Sequence, residues 1–309
     1  MIQYVAGLDV GGTSGRVKIA GADGSAIGEH YGIGCSINTA GRERSEAVYR
    51  ELVLTALREF GLEPAGCRGV CVAASGVDSP EHEQLCREIF IKMGFAEAAV
   101  IIQNDCEIFL HLPENPSVVL IAGTGSISYS RAMDGTVVRT GGWNHILSDE
   151  GSAFGMGLEV IRHAGNHLDG RESCPVLYQG MYEKNRISRL YDLDRFVNDN
   201  LMDKWVIAGY ASLAEASSDA GEAAGISIIE QTATHLFKLV QDTVRKSGLG
   251  EEEPFCVWLW GSTLLKCRPL RARVELLLHG CYNNVRIRVP EKSALEIAAD
   301  VAWNHAQRG

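Results

Sequence analysis

A pattern of strand, glycine turn, strand, turn and strand begins at residue 4 and begins again at residue 118. In the first copy the apolar segment Tyr4 to Val10 runs into Gly11-Gly12-Thr13, and two more strand patterns follow. In the second copy Val118 to Ala122 runs into Gly123-Thr124-Gly125, again with two strand patterns after it. Three strands joined by tight turns form an antiparallel meander. The repeat therefore predicts two similar half-domains.

The segment Pro113-Glu114-Asn115-Pro116 is the best candidate for a linker, because two prolines in four residues disfavour both a helix and a central strand. We expect domains at 1–114 and 115–309, the second with helical insertions. The last helix could pack back on the first domain. A chain of 309 residues fits two domains of roughly 150 residues each.

Outside the two meanders, strand patterns alternate with helix patterns, so the sequence predicts an α/β fold. In 42–60 the apolar residues recur at helical spacing, with Arg and Glu on the opposite face. The predicted helices are 42–60, 81–93, 105–112, 150–166, 193–200, 205–218, 225–247 and 292–304. The further predicted strands are 68–74, 100–103, 255–260 and 285–289.

Charge and cysteine usage narrow the class of protein. The chain has 29 Lys and Arg residues and 39 Asp and Glu residues, which gives a net charge of −10. This charge disfavours sequence-independent binding of nucleic acids, because such binding needs a basic face. The sequence has no polybasic cluster and no apolar run of ~20 residues, so nothing in it indicates that the protein binds or spans a membrane. The nine cysteines are odd in number and form no C-x-x-C pair, which favours buried thiols in a reducing compartment. With no secretory signal pattern at the start, we expect a cytoplasmic protein.

The two glycine turns are candidate phosphate-binding segments. Gly11 and Gly12, like Gly123 and Gly125, allow backbone N–H groups to approach a phosphate without a Cβ in the way. Thr13 and Thr124 would each add a hydroxyl, so the two turns together could clamp a nucleotide from both sides of a cleft. Asp9, at the end of the first strand, could hold a hydrated Mg²⁺. The alternative for each turn is an ordinary hairpin.

An acidic residue follows the predicted strand 100–103, in the position where α/β proteins usually carry their sites. Asp105 is therefore a candidate catalytic base. The alternative is that Asp105 only caps the N-terminus of the helix predicted to run to Leu112.

A tryptophan flanked by polar residues resembles a sugar subsite, since sugars present hydroxyls as well as an apolar ring face. Here Gly142-Trp143-Asn144 is followed by Asp149, just before a predicted helix. The alternative is that Asp149 caps that helix and Trp143 lies in the core. Gly261-Ser262, after the apolar strand 255–260, is a candidate adenosine site or a plain strand-to-helix turn.

The order of these motifs resembles the N-acetylglucosamine kinase and BadF/BadG/BcrA/BcrD ATPase family, within the superfamily of sugar kinases, actin and heat-shock ATPases. The resemblance covers essentially the whole chain. It is carried by Asp9-x-Gly11-Gly12-Thr13, Asn104-Asp105, Gly123-Thr124-Gly125-Ser126, Gly141-Gly142-Trp143, Asp149-Glu150-Gly151-Ser152 and Gly261-Ser262.

The resemblance implies two ribonuclease-H-like domains flanking an ATP cleft, with ATP and Mg²⁺ as cofactors and a homodimer as the assembly. It implies that Thr13 and Thr124 contact phosphate, that Gly261 and Ser262 contact adenosine, and that Asp105 is the catalytic base. The sugar-binding residues that it implies are Asn38, Asp105, Gly142, Trp143, Asn144 and Asp149.

We therefore expect an ATP-dependent kinase of an amino sugar such as N-acetylglucosamine, acting at the 6-hydroxyl. Ile127 and Asn144 depart from the residues of some family members, so the identity of the sugar stays open. One alternative is an ATPase activator of an acyl-CoA dehydratase or reductase, with an iron–sulfur cluster. A sugar-sensing regulator is a further alternative, which the acidic charge disfavours.

Overall fold

The computed structural model describes residues 2–250 and 253–308. Strands and helices alternate along the chain. The strands are β1 (Tyr4–Val10), β2 (Ser14–Gly21), β3 (Ala26–Ile33), β4 (Cys67–Ala74), β5 (Val100–Asn104), β6 (Ser117–Ala122), β7 (Ser126–Arg131), β8 (Val137–Gly141), β9 (Phe255–Trp260) and β10 (Val285–Arg288).

The α-helices follow the two three-stranded meanders, β1–β3 and β6–β8. They are α1 (Ile37–Glu59), α2 (Pro80–Lys92), α3 (Ala153–Leu168), α4 (Pro175–Asn185), α5 (Leu190–Asn200), α6 (Lys204–Ala208), α7 (Ala211–Asp219), α8 (Ala223–Ser247), α9 (Ser262–Lys266), α10 (Arg268–Cys281) and α11 (Ala294–Ala306). In the part of the chain that the structure describes, no helix combines the length and the apolar character needed to cross a bilayer.

The strands form two five-stranded sheets of the same topology, in the orders β3-β2-β1-β4-β5 and β8-β7-β6-β9-β10. In the first sheet β1, β2 and β3 pair antiparallel, and β4 and β5 continue parallel to β1. In the second sheet β6, β7 and β8 form the antiparallel meander, and β9 and β10 are parallel to β6. The predicted α/β class and the predicted repeat are confirmed.

The described residues divide into two compact units. The first contains the residues up to Pro113 together with those from Glu291 onward, and the second runs from Glu114 to Pro290. The last helix, α11, is thus part of the first unit.

The sheet of the first unit is covered on both faces. Alternate residues of β1, such as Leu8 and Val10, belong to a buried core with Val53 of α1 and Phe90 of α2, as the period of two in a strand requires. On the opposite face of β1, Gly7 lies against α11. A Cβ built on Gly7 would lie 2.3 Å from the backbone nitrogen of Ala299, so only glycine allows this approach of helix and strand.

The core of the second unit is built from the apolar faces of β6 and β9 with helices α3, α4, α7, α8 and α10. α8 carries the longest buried stripe and packs on the β6-β7-β8 side of the sheet. Because the helices that cover the sheet follow β8 in sequence, they begin directly after the loop that carries Trp143 and Asp149.

Some predicted elements were wrong in detail. The helix predicted over 205–218 is interrupted by Gly209, a weak helix former, and forms the separate helices α6 and α7. The segment 105–112 is a 3₁₀ helix at Glu107–His111 rather than an α-helix. Helix α4 was not predicted, because only Leu177 and Met181 of its eleven residues are buried and they do not form a clear apolar stripe.

Candidate active site

The first glycine turn leaves two backbone donors without a partner. The N–H of Gly11 donates to the carbonyl of Ser14 at 2.9 Å, which closes the turn. Within residues 2–250 and 253–308, no hydrogen-bond acceptor is found for the N–H groups of Gly12 and Thr13. Nothing lies within 4 Å of the position that a Cβ of Gly12 would take. This turn therefore has the donors and the space that an anion such as phosphate needs.

Asp9 and Arg16 stand opposite each other on β1 and β2, just before and just after this turn. The Arg16 guanidinium donates to Oδ2 of Asp9. The Asp9 side chain is 15% exposed and that of Arg16 41%, so the pair borders the solvent side of the turn. One Asp9 oxygen is engaged by Arg16, and a positive charge stands beside the candidate phosphate site.

The carboxyl ends of β1, β4 and β5 meet at one edge of the first sheet. The N–H of Ser75 donates to the carbonyl of Val10 at 2.8 Å, and that of Asp105 donates to the carbonyl of Ala74 at 3.3 Å. This edge brings together Asp9, Asp105 and the loop that follows β4. Ligands commonly bind at this position in parallel sheets.

Asp105 is partly buried beside other carboxylates. Burial, and to a smaller extent repulsion by Asp9 and Asp78, raises the pKa of Asp105 to about 6, although hydrogen bonding by Cys106 acts in the opposite direction. A carboxyl group with a pKa near neutrality is suited to accept a proton and release it again.

The structure does not support the capping alternative for Asp105. The 3₁₀ helix begins at Glu107, and Cys106 occupies its N-cap position. Oδ1 of Asn104 accepts the hydrogen bond of the Cys106 N–H at 2.9 Å. The neighbour Asn104 therefore satisfies the backbone here, and Asp105 precedes the cap position.

Asn38 lies in the first turn of α1, at the same edge of the sheet. Its Nδ2 donates to Oδ2 of Asp78 at 2.9 Å, and its Oδ1 accepts from the Ser36 hydroxyl at 2.8 Å. The loop after β4 passes close by, since a Cβ on Gly76 would lie 2.6 Å from Oδ1 of Asn38. Asp78 was not among the residues singled out from the sequence.

The second glycine turn repeats the features of the first. The N–H of Gly123 donates to the carbonyl of Gly125 at 2.9 Å. In the described part of the chain the N–H groups of Thr124 and Gly125 have no acceptor. The equivalent position, after the first strand of each sheet, therefore carries an equivalent pair of free donors.

Asp149 lies beneath this second turn. It is 2% exposed, and its Oδ1 accepts the N–H of Ser126 at 2.9 Å. Its Oδ2 faces Nζ of Lys204, at the start of α6, at 3.2 Å. The carboxylate also lines a cavity of about 680 Å³ beside α3, α5 and α8. Ser152, not Asp149, is the N-cap of α3, so the capping alternative for Asp149 is wrong.

The loop with Trp143 leaves β8 through Gly141 and Gly142, which have φ values of 75° and 71°. Gly142 lies directly over Ile127, because a Cβ on Gly142 would be 2.3 Å from its Cδ1. Trp143 is 64% exposed and stacks with Arg139, so it is not a core residue. Oδ1 of Asn144 accepts the N–H of Ile146 at 2.9 Å, which holds the loop in a tight turn.

Gly261 and Ser262 pack against the second glycine turn. Gly261 has a φ of 97°, and a Cβ on it would lie 2.3 Å from the carbonyl oxygen of Ala122. The hydroxyl of Thr263 donates to the carbonyl of Gly123 at 2.9 Å. The second unit thus brings the turn at 123–125 together with Gly261, Ser262 and Asp149.

Two similar units, each with a glycine turn after the first strand of a 3-2-1-4-5 sheet, define the class of actin-like, ribonuclease-H-like ATPase folds. The chain belongs to the BadF/BadG/BcrA/BcrD ATPase family, whose sequence model matches residues 6–298.

Curated relatives cover most of the chain. The N-acetylmuramic acid/N-acetylglucosamine kinase of Clostridium acetobutylicum is 27% identical over 245 residues, which is 79% of this chain and 80% of the relative. The N-acetyl-D-glucosamine kinase of Dictyostelium discoideum is 25% identical over 260 residues, 81% of this chain and 82% of the relative.

Among solved structures, a protein of Chromobacterium violaceum that is provisionally described as an N-acetylglucosamine kinase has a similar fold. Its TM-score is 0.74 at 20% identity, over 97% of this chain and 99% of that protein. At this identity the similarity establishes the fold.

Proposed function

We propose that this protein is an ATP-dependent kinase of an amino sugar such as N-acetylglucosamine or N-acetylmuramic acid. The observation that carries the proposal is a glycine turn with two free N–H donors in each unit, the first of which lies at the same sheet edge as Asp105. The names of both curated relatives agree with this activity.

We propose that the two turns bind the phosphates of ATP, through Gly11, Gly12 and Thr13 in the first unit and Gly123, Thr124 and Gly125 in the second. Arg16 and Lys204 add positive charge beside these turns. Gly261 and Ser262 adjoin the second turn and would receive the adenosine. Positioning and charge neutralisation supply most of the catalysis in phosphoryl transfer.

The carboxylates at the sheet edge fit a role for Mg²⁺. In residues 2–250 and 253–308 no group of three or more His, Cys, Asp or Glu side chains could hold a metal ion. We propose that Asp9, one oxygen of which is engaged by Arg16, holds Mg²⁺ through water, while phosphate oxygens would supply other ligands. The ion would neutralise phosphate charge.

Asp105 would act as the general base. Its carboxylate accepts the proton of the sugar hydroxyl, by family resemblance the 6-hydroxyl, as that oxygen forms its bond to the γ-phosphorus and the bond to ADP breaks. A pKa raised to about 6 leaves Asp105 ionised at pH 7 yet basic enough for this proton transfer.

The sugar would be bound by Asn38 and Asp105 from the first unit and by the Gly142–Asp149 segment from the second. Trp143 offers an exposed indole for the apolar face of the ring. Asn144 and Asp149 already make hydrogen bonds within the protein. We propose that they shape the loop and the second turn as well as contact the sugar.

The burial of the cysteines favours a kinase over the iron–sulfur activator. All nine cysteines lie in the described part of the chain, and seven of them are buried. Cys281 is exposed and Cys106 partly exposed. A cluster shared across a dimer interface needs accessible thiolates, whereas burial raises the pKa of Cys71 and Cys267 to about 12 and about 11.

A screen of ADP release tests the proposed function. The purified chain, with MgATP, is offered N-acetylglucosamine, N-acetylmuramic acid, glucosamine, N-acetylmannosamine and glucose, with Asp105→Asn as the control. We expect sugar-dependent ADP release with at least one amino sugar and a loss of it in the control. No stimulation by any sugar would refute the proposal. Light scattering in the same buffer tests the proposed homodimer.

A further inference from the structure

Asp78 lies in the loop after β4 and bonds to two asparagines at once. Oδ2 accepts from Nδ2 of Asn38 at 2.9 Å, and Oδ1 accepts from Nδ2 of Asn104 at 3.2 Å. Asn38 is a proposed sugar-binding residue, and Asn104 directly precedes the proposed base. One carboxylate therefore connects the two segments at which the substrate would be held and deprotonated.

These bonds fix the orientation of the Asn38 amide. Its oxygen accepts from the Ser36 hydroxyl at 2.8 Å, and one of its two N–H groups donates to Asp78. The loop also covers this oxygen, since a Cβ on Gly76 would lie 2.6 Å from Oδ1, so the second N–H group is the polar group that remains open to a ligand. Asn38 is thereby prepared to donate, and the substrate atom it recognises must be an acceptor, such as a sugar hydroxyl oxygen.

The side chain of Asn104 is also held in place by hydrogen bonds. It is 6% exposed, its Nδ2 lies 3.3 Å from the carbonyl of Val77, and its Oδ1 accepts the N–H of Cys106 at 2.9 Å. Because Asp105 stands between Asn104 and Cys106, these bonds limit the movement of the base. Asn104 is the buried end of this network and Asn38 is its exposed end, and the loss of Asp78 would remove a hydrogen-bond acceptor from both amides.

The loop is also closely fitted to Asn38. Gly76 has a φ of 79°, and a Cβ on it would lie 2.5 Å from the Ser36 hydroxyl oxygen. The backbone of the loop thus comes so close to the Ser36–Asn38 turn that only glycine fits at position 76. This close approach places Asp78 at hydrogen-bonding distance from Asn38.

We infer that Asp78 is a positioning residue for the sugar, which orients Asn38 as a donor to a substrate hydroxyl oxygen and anchors the turn that carries Asp105. The inference rests on the proposed function. It names Asp78 as a determinant of sugar recognition that acts without touching the sugar.

The first test compares Asp78→Ala with Ser79→Ala. Ser79 is the neighbouring N-cap of α2 and its hydroxyl oxygen accepts from the N–H of His82, so its loss weakens the same region without touching Asn38. We expect Asp78→Ala to lower kcat/KM for the sugar by about 10- to 100-fold with KM for ATP within about twofold. Equal effects of the two substitutions would overturn the inference.

A double substitution separates positioning from general stability. If Asp78 acts on the sugar KM through Asn38, then Asp78→Ala in an Asn38→Ala background changes that KM by less than about threefold. The effect on kcat, which passes through Asn104 and Asp105, remains. An undiminished change of the sugar KM in the Asn38→Ala background contradicts the inference.

A readout without turnover distinguishes failure of the inference from failure of the proposed function. In ¹⁵N-labelled protein without ligands, we expect the side-chain amide signal of Asn104, which is 6% exposed and bonded to Asp78, to exchange slowly with solvent; it is assigned by its loss in Asn104→Ala. We expect Asp78→Ala to speed this exchange and Ser79→Ala to leave it unchanged. Exchange that is fast in the wild type refutes the network, whatever the substrate, whereas slow exchange without sugar turnover refutes only the proposed function.

Discussion

The Lys204 ammonium lies 3.2 Å from the buried carboxylate of Asp149. The same carboxylate holds the N–H of Ser126, the residue that ends the second glycine turn. A Cβ on Gly125 would be 3.0 Å from both Asp149 oxygens and from Nζ of Lys204. A helix that begins some fifty residues later in the chain, α6, is thus tied to the shape of a candidate phosphate-binding turn.

Two substitutions of Asp149 should reduce the stability of the protein to different extents. Asp149→Ala leaves Ser126 and Lys204 without their partner, and we expect a loss of about 2–4 kcal/mol in the free energy of unfolding. Asp149→Asn keeps an acceptor for Ser126 and should cost less. Urea denaturation measures the order, with Asp192→Asn in an exposed ion pair as the control. If Asp149→Asn is as damaging as Asp149→Ala, the bond to Ser126 is not what matters.

Asp105→Asn should make the protein more stable and less active. The pKa of Asp105 is raised from 3.8 to about 6, so the folded state disfavours the ionised form, and stability falls as the pH rises through this window. Above it, Asn should gain up to about 3 kcal/mol, at ~1.4 kcal/mol per pKa unit. Thermal unfolding at pH 8 and pH 4 checks the difference, which should shrink to below about 1 kcal/mol at pH 4, while kcat at pH 8 falls by at least ~10².

The value of kcat/KM for the sugar should decrease at acidic pH. Below a pH of about 6 Asp105 becomes protonated and can no longer accept the proton of the sugar hydroxyl. We expect a decrease approaching about tenfold per pH unit there. The residual activity of Asp105→Asn should lack this acid limb, and an unchanged limb in the variant would assign it to another group.

Gly12→Ala should weaken ATP binding without harming the fold. Gly12 has open space where the Cβ would lie, and its φ is not among the positive ones, so alanine is accommodated. A methyl group at this point blocks the approach of a phosphate, and we expect the KM for ATP to rise about tenfold. Gly280→Ala, in open space on α10, is the matched control. An unchanged KM for ATP would show that this turn does not bind phosphate.

Trp143→Ala should affect the sugar alone. The indole is 64% exposed and stacks on Arg139 at 4.1 Å, so its loss should barely change stability. We expect the sugar KM to rise about tenfold, the magnitude of a lost ring contact, with ATP affinity unchanged. Trp205→Ala provides a control, since Trp205 is also exposed, at 66%, and lies on α6. Equal effects of the two substitutions would remove Trp143 from the sugar site.

Elements with a strong local pattern could be predicted from the sequence. The bounds of β1 and β9 match the predicted segments to the residue, because each is an apolar run closed by glycine. The repeat of the meander predicted the common topology of the two sheets. By contrast, the split between α6 and α7 depends on a single glycine in a sequence that otherwise continues a helical pattern.

The parts of the candidate site that are formed by residues close together in the sequence could be predicted. The parts that depend on contacts between residues far apart in the sequence could not. The glycine turns and Asp105 stand directly after apolar strands, which is a local signal. Lys204 is separated from Asp149 by 55 positions and stands in an ordinary polar segment, so nothing in the sequence marks it. Asp78 did have a signal, since it follows Ser75-Gly76 just after β4, but its contact with Asn38 joins positions 40 apart.

α11 packs against Gly69 as well as Gly7, since a Cβ on Gly69 would lie 2.4 Å from the carbonyl oxygen of Ala302. This packing has a consequence for the order in which the nascent chain can fold. The second unit is continuous from Glu114 to Pro290, so all of it has been synthesised before α11 is made. The first sheet, although translated before the second unit, keeps one face of β1 and β4 uncovered until α11 has left the ribosome. A chain whose synthesis stops between Pro290 and α11 would therefore have a complete second unit and a first sheet with an exposed apolar face, which chaperones bind.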